Sequence, residues 1–542
     1  MWGLTASIAN GTSGLVLGYA SVAVPLVVGM IRNGAPWHRL MAAPLYAIPT
    51  TIAAGVALGI GSTVGASLGI SLGGGALALG AGAAATAGIG YAAGRLLAKP
   101  AAQAGDHRRG TVVLDGAVGS SARREREPSK LRREAALTLA GIPIAEADET
   151  KHFKIIGTTG TGKSTAITEL LTKALARGDG AVIADPDGGY MRRFYRPERG
   201  DVILNPFEPN SRKWDLFGEI QTPYDIEQIA RSLIPDHEGS DRIWRGYART
   251  FFTAVTRRAH EAGIDDVGEI YRLLVFAQHR ELRALVAGTA AQPFLDEDNA
   301  RMFDSVRSVT SSAVTALEYV GQQRQEKLSV RQWVHGTEGG KQRGVLFIPY
   351  QAGQIAALRS QVSAWMRIAI FEAMSQEDSQ RRLWFVVDEL DAVGPIDGLK
   401  DALARLRKFN GRCVLGFQSV AQVGTTYGKG EGQTIVENCG NSLILRSSAS
   451  EGGGTARFAS NLIGEREVLR TTHSRSRRPT EFMSTHSSSE HVAVEPAVLP
   501  SQIEQLPDLA GYLKLASRPE WLRVQLTPQP QVTRRQERGY EL

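Results

Sequence analysis

The sequence predicts an α/β protein: a parallel sheet interrupted by an all-helical insertion and preceded by membrane-spanning helices. Three observations predict it. Short apolar runs alternate with helical periods over most of the chain, as expected of strands joined by helical crossovers. The alternation stops between about Thr222 and Val334, where only helix-like periods occur. The first 100 residues carry no Asp or Glu, which suits a membrane end.

The 542 residues are 43% apolar and 22% charged, which excludes a fully disordered chain. There are 59 Gly but only 23 Pro and no Gly-X-Y period, so collagen is excluded as well. The two cysteines, Cys413 and Cys439, are too few for a disulfide framework or a Cys-rich zinc site. The net charge of +7 is uneven. The first 100 residues hold Arg32, Arg39, Arg95 and Lys99 as their only Lys or Arg. The basic balance is thus largely a property of the N-terminal end and says little about nucleic acid.

Gly14 to Ile31 is an uncharged, mostly apolar run, and Leu40 to Gly94 follows without a single charge. As one helix the second run would be about 80 Å long, against a hydrocarbon core of ~30 Å. It is expected to fold back into crossings near 41–60 and 68–94. Gly61, Gly65, Gly69 and Gly73 recur every four residues, and Gly55 and Gly59 upstream are also four apart; they are either a bland Gly-rich span or a helix-packing ladder. Arg95, Lys99, Arg108 and Arg109 follow the last span and place the long remainder in the cytoplasm. The count stays open between two and three crossings. Residues 1–100 are therefore read as the membrane region. Residues 101–136, with Arg123, Arg124, Arg126, Lys130, Arg132 and Arg133, read as a basic juxtamembrane linker, solvated or in contact with lipid or DNA phosphates.

Strands are expected at Phe153–Ile156, Ala181–Ala184, Val202–Leu204, Val345–Ile348, Leu383–Val387, Cys413–Phe417 and Leu443–Leu445, with Tyr512–Ala516 and Leu522–Leu526 as closing strands. Residues 137–221 and 335–530 then form two parts of one nucleotide-binding domain, with 222–334 as the insertion between them. Residues 471–490, rich in Ser, Thr, Arg and His, read as a loop, and 531–542 as a tail. Within the insertion, Asp241 to His260 reads as an amphipathic helix. Trp244, Ala248, Phe251 and Val255 fall on its core side; Arg242, Arg245 and Arg249 line a face that is either solvated or set against DNA or an acidic partner.

The most specific motif is Gly157-Thr158-Thr159-Gly160-Thr161-Gly162-Lys163-Ser164, a full match to the phosphate loop G-x-x-x-x-G-K-[ST]. It follows an expected strand and opens a helix at Thr165. Glycines let the backbone amides face a polyphosphate, and the helix adds its positive end. Lys163 is placed for the β- and γ-phosphates, and Ser164 for Mg²⁺. ATP and Mg²⁺ are the expected cofactors. The apolar run from Leu383 ends in Asp388-Glu389. That pattern delivers Asp388 to the cation and Glu389 to the attacking water as base. Gln418 closes another strand, either as an ordinary edge amide or as a sensor of the γ-phosphate. Leu399 to Phe409 reads as a helix carrying Arg405, Arg407 and Lys408, either a solvated face or an arginine finger for a neighbouring subunit.

Taken together, these residues resemble the type IV secretion coupling proteins, the conjugative coupling ATPases of the TrwB/TraD type. The resemblance rests on Leu137-Thr-Leu-Ala-Gly-Ile-Pro-Ile144, the phosphate loop, Asp185-Pro-Asp-Gly188, Ile203-Leu-Asn-Pro-Phe207, Leu383–Leu390 and Gly416-Phe-Gln-Ser419. It implies a RecA-like P-loop core and a homohexamer at the bacterial inner membrane, multi-pass, with a large cytoplasmic part. It also implies DNA, single- or double-stranded, as partner, with a relaxase or accessory protein and the inner-membrane components of a secretion channel. By position relative to Gln418, Arg407 matches the family's trans-acting arginine, with Arg405 the fallback. A membrane docking receptor for protein effectors, with mainly regulatory ATP turnover, is the alternative.

Overall fold

The computed structural model describes residues 19–32, 35, 40–54, 76–97, 106–116, 137–236, 241–336, 344–375, 382–450, 454–476 and 485–528. The chain divides into two compact units, Met1–His107 with Val468–Ala493, and Arg108–Glu467 with Val494–Leu542.

The described helices of the first unit cover 19–32, 40–54 and Ala76–Leu97. The first and third approach closely at Gly90 and Gly94, where an added Cβ would meet the backbone carbonyls of Val22 and Leu26. Leu26 and Met30 are buried there with Ala43. Among the described residues no helix is long and apolar enough to cross a membrane. Each expected span, 14–31, 41–60 and 68–94, runs partly outside the described residues, as do the whole Gly55–Gly73 ladder, the arginine cluster of 123–133 and the tail 531–542.

The segment 471–490 is not simply a loop. Strands Glu465–Ser476 and Thr485–Pro496 occupy both its ends, in a three-stranded sheet with Asp106–Gly110. Backbone pairing holds such strands, and Ser, Thr, Arg and His give no period-2 apolar signal by which to read them.

The second unit is built on ten strands: β1 (Val113–Asp115), β2 (Phe153–Ile156), β3 (Gly180–Pro186), β4 (Val202–Ile203), β5 (Val345–Tyr350), β6 (Leu383–Val387), β7 (Gly411–Phe417), β8 (Asn441–Leu445), β9 (Ala510–Lys514) and β10 (Trp521–Gln525). Their spatial order is β1-β10-β9-β8-β2-β7-β6-β3-β5-β4. From β8 to β4 every pairing is parallel. β9 and β10 are antiparallel, and β1 runs parallel to β10. The sheet is thus mixed, and β1 comes from the segment expected to be linker.

Alternate residues face two apolar layers. Ile155, Ala181 and Ile183 pack with helix Lys163–Ala176; Ile156, Val182 and Ala184 pack with helix Ile355–Ala373 on the other face. The second layer runs without a break into the helices between β4 and β5. Phe251, Phe252 and Phe303 share its core with Trp214 and Trp365, whose rings meet edge to face at 5.9 Å. Helix Pro223–Leu233 starts as its sequence dictates, with Pro223 in the first turn and a Thr222–Asp225 capping box. The helical segment is not free of strand. Lys327–Leu328 pairs with Lys213–Trp214 at its base, too short a strand for alternation to reveal. On helix Arg242–Glu261, Ala248, Phe251 and Val255 are buried and Trp244 is partly so. Arg249 donates to the Ile234 carbonyl at 3.1 Å and pairs with Asp236 at 2.7 Å, while Arg245 donates to the Pro235 carbonyl at 3.3 Å. These two arginines tie down the end of the preceding helix.

At the N-terminal edge of the sheet, Glu149 accepts a bidentate pair from Arg177 at 2.8 Å and a third bond from Arg412 at 2.9 Å. Beside them, His152 is buried in the left-handed region at φ 58°. Its Nδ1 accepts from the Cys413 amide at 3.1 Å, and its Nε2 lies 3.0 Å from the Leu403 carbonyl. A carbonyl only accepts, so Nε2 carries the proton and the ring is neutral. Burial, joined by the nearby Arg412 charge and opposed by the Leu403 bond, lowers its pKa from 6.5 to about 4. Below pH 6.5 the unfolded imidazole binds a proton that the folded one refuses until about pH 4. Stability should therefore fall through that window, by up to about 3 kcal/mol from this one group. Urea midpoints between pH 7.5 and 4.5 should show the slope. His152→Asn, which keeps an acceptor, tolerates the left-handed backbone and cannot titrate, should flatten it.

Candidate nucleotide site

Four neighbouring parallel strands deliver polar groups to one edge of the sheet. β2 ends in the Gly157–Ser164 loop, β7 in Gln418, β6 in Asp388-Glu389 and β3 in Asp185. The C-terminal ends of parallel strands are where such folds bind ligands.

The loop turns into helix Lys163–Ala176 through Gly162 at φ 116°. A side chain there would be strained, and its Cβ would come within 2.9 Å of Leu509. Three segments distant in sequence hold the loop. The Gly157 amide donates to the Phe417 carbonyl at 3.3 Å, Thr158 to Arg446 at 3.0 Å, and Leu509 to the Thr161 carbonyl at 2.9 Å. Thr159 and Gly160 are exposed at its tip, and Thr165 is half-buried in the first helical turn. The Lys163 ammonium is buried within the loop, donating to the carbonyls of Gly157 at 2.8 Å and Thr158 at 3.3 Å. Burial lowers its pKa, against the pull of Asp388, Glu389 and Asp391.

Asp388 is buried. Its Oδ2 accepts from the Ser164 hydroxyl at 2.7 Å and from the Tyr190 hydroxyl at 2.7 Å, whereas Oδ1 is buried without a hydrogen-bond partner. Gly416 makes room for it on the neighbouring strand, since a Cβ there would strike the Asp388 carbonyl. Glu389 is half-buried and accepts from Gln418 Nε2 at 3.1 Å. Burial raises its pKa, Gln418 opposes the shift, and the Asp388 and Asp391 charges add to it. Asp185 is fully buried, pushed up to about 7 by burial despite the amides of Met191 and Tyr190 on its carboxylate at 2.7 and 3.1 Å.

These residues fit a nucleotide with a divalent cation. The loop supplies amides and an ammonium for phosphates, and Ser164 with the unpartnered Asp388 Oδ1 supplies oxygen ligands for a hard cation. The structure brings Lys163, Ser164, Asp388, Glu389 and Gln418 together. It does not bring Arg407 to them. Arg407 and Arg405 are exposed just before β7, whose first residue pairs with Leu383 at the start of β6. They therefore lie at the edge of the sheet opposite Asp388.

Sequence reasoning missed Tyr190 and the loop's tethers at Arg446 and Leu509. A buried tyrosine five residues past Asp185 reads as ordinary core, and no local pattern ties Leu509 to a loop about 350 residues upstream.

Residues 136–527 match the family model described as the type IV secretion-system coupling protein DNA-binding domain. The coupling protein TraD of Escherichia coli (strain K12) is 29% identical over 386 residues, covering 71% of this chain and 53% of TraD. The chain thus spans about half the length of that relative. Among solved structures, the unbound conjugative coupling protein TrwBΔN70 is similar at a TM-score of 0.69 with 29% identity, over 78% of this chain and 94% of that one. TrwB with ADP and Mg²⁺ is similar at a TM-score of 0.67, also with 29% identity, over 79% and 95%.

Proposed function

The chain belongs to the type IV secretion coupling protein family, and on that premise we propose that it is a DNA-dependent ATPase that drives DNA into a secretion channel during conjugation. The observation that carries this reading is the closed set Lys163, Ser164, Asp388, Glu389 and Gln418, joined by the Ser164–Asp388 and Gln418–Glu389 bonds at the loop.

Bound Mg²⁺ supplies charge neutralisation of the phosphates. The remaining work falls to the chain. Lys163 binds the β- and γ-phosphates, and Ser164 and Asp388 hold the cation. Glu389, made more basic by burial, takes a proton from the attacking water. Gln418 orients that carboxylate and links it to the helix Val420–Tyr427 that follows. Arg407, exposed at the opposite edge of the sheet, serves a neighbouring subunit's site, and the family resemblance gives a homohexameric ring as the working form. The apolar, acid-free N-terminal 100 residues anchor that ring at the inner membrane, where it meets relaxase-bound DNA and the channel.

The test is ATP hydrolysis by the 542-residue chain in detergent or nanodiscs, with and without single- and double-stranded DNA, over a range of protein concentrations. Turnover should be stimulated by DNA and rise more steeply than linearly with protein. Arg407→Ala should lose the stimulation while still binding nucleotide. DNA-independent turnover that is strictly linear in protein would instead support a docking receptor for protein cargo.

A further inference from the structure

Asp388 is gripped from two sides. One grip is the loop serine. The other is Tyr190, from the six-residue helix Gly189–Phe194 after β3. Ser164 is exposed in the first turn of helix Lys163–Ala176. Tyr190 is buried, at 4% exposure, and its backbone is pinned. The Asp185 carboxylate accepts from the Tyr190 amide at 3.1 Å and from the Met191 amide at 2.7 Å. β3 and β6 are paired in register, Ala184 beside Val387, so Asp185 and Asp388 emerge side by side at the same edge. The phenol therefore reaches across one strand spacing from a fixed base.

We propose that Tyr190 is a positioning residue for the cation: its hydroxyl locks Asp388 through Oδ2 and leaves Oδ1 as the oxygen presented to the metal. The inference rests on the nucleotide-binding reading above. Two features support it. First, a carboxylate held only by Ser164 could rotate about its terminal bond, exchanging its two oxygens. A second donor on the same oxygen, from a ring fixed by burial, removes that freedom. Second, the burial of Oδ1 without a partner costs free energy unless a ligand uses that oxygen. Groups that orient a metal ligand govern metal affinity.

Tyr190→Phe removes only the hydroxyl and leaves the ring to fill its site. The measurement is equilibrium binding of a fluorescent ATP analogue to the 542-residue chain, parent and variant, in excess Mg²⁺ and in EDTA, followed by a Mg²⁺ titration at fixed nucleotide. In EDTA the two should bind alike, which also reports that the variant is folded. In Mg²⁺ the variant should bind more weakly, and its Mg²⁺ midpoint should rise about 10- to 100-fold. ATP turnover at saturating Mg²⁺ should recover most of the parent rate. An unchanged Mg²⁺ midpoint overturns the proposal. So does an equal loss in Mg²⁺ and in EDTA, which would make the hydroxyl merely structural. Failure of the parent chain to bind nucleotide in either condition overturns the nucleotide reading itself, and this inference with it.

Discussion

Glu389→Gln keeps nucleotide bound and slows its hydrolysis by about 10²- to 10⁴-fold, the contribution expected of one general base. Glutamine has the size of glutamate and can still meet the Gln418 amide at the position where Glu389 Oε1 accepts it at 3.1 Å. The Ser164–Asp388 bond lies on the neighbouring residue and is left intact. What disappears is a carboxylate whose basicity burial has raised. Equilibrium binding alongside single-turnover hydrolysis separates the two effects. A variant that binds weakly but turns over at the parent rate would place Glu389 in binding rather than in chemistry.

Lys163→Ala acts on the earlier step. The lysine is set among Asp388, Glu389 and Asp391, whose charges oppose the lowering of its pKa by burial. Alanine leaves those three carboxylates facing an incoming polyphosphate. Loss of one charge-assisted contact costs about 1.5–3 kcal/mol, roughly a 10- to 150-fold drop in affinity. Turnover should fall by a further ~10²–10³-fold as charge developing in the transition state loses its donor. The drop in affinity should appear with and without Mg²⁺. That pattern distinguishes the phosphate ligand from Tyr190, whose removal is expected to matter only when the cation is present. Calorimetric titration with a slowly hydrolysed ATP analogue checks it, and parent-like affinity in both conditions would remove Lys163 from the site.

Much of the nucleotide-facing edge is legible in the chain because local patterns carry it. A glycine-spaced loop between a strand and a helix has few other uses, and an apolar run ending in two acids announces a buried strand with its ligand at the tip. β3, β5, β6, β7 and β8 are visible as apolar runs, and β2 as one broken only by Lys154, because central parallel strands are covered on both faces. What is illegible depends on partners far away. Val113–Asp115 is a strand only because Trp521–Gln525 lies beside it. Glu465–Ser476 shows no apolar alternation. Arg245 and Arg249 look like a free basic face until Ile234 and Pro235 offer carbonyls. Tyr190 is identifiable only once β3 and β6 are neighbours.

The strand order also sets a timetable for the newly made chain. β2 sits between β7 and β8, and the first residue of β7 is synthesised about 260 residues after the first residue of β2. At ~5–20 residues per second the ribosome needs on the order of 10–50 s to close that gap. During this interval Phe153–Ile156, apolar apart from Lys154 and buried throughout in the finished fold, has neither neighbouring strand. Unpaired strand edges of that kind invite mispairing. The phosphate loop waits longer still, because its last tether, Leu509, is synthesised about 350 residues after Thr161. Chains that stop before Leu509 therefore lack a fully tethered loop, and until β7 and β8 are made β2 stays open to mispairing.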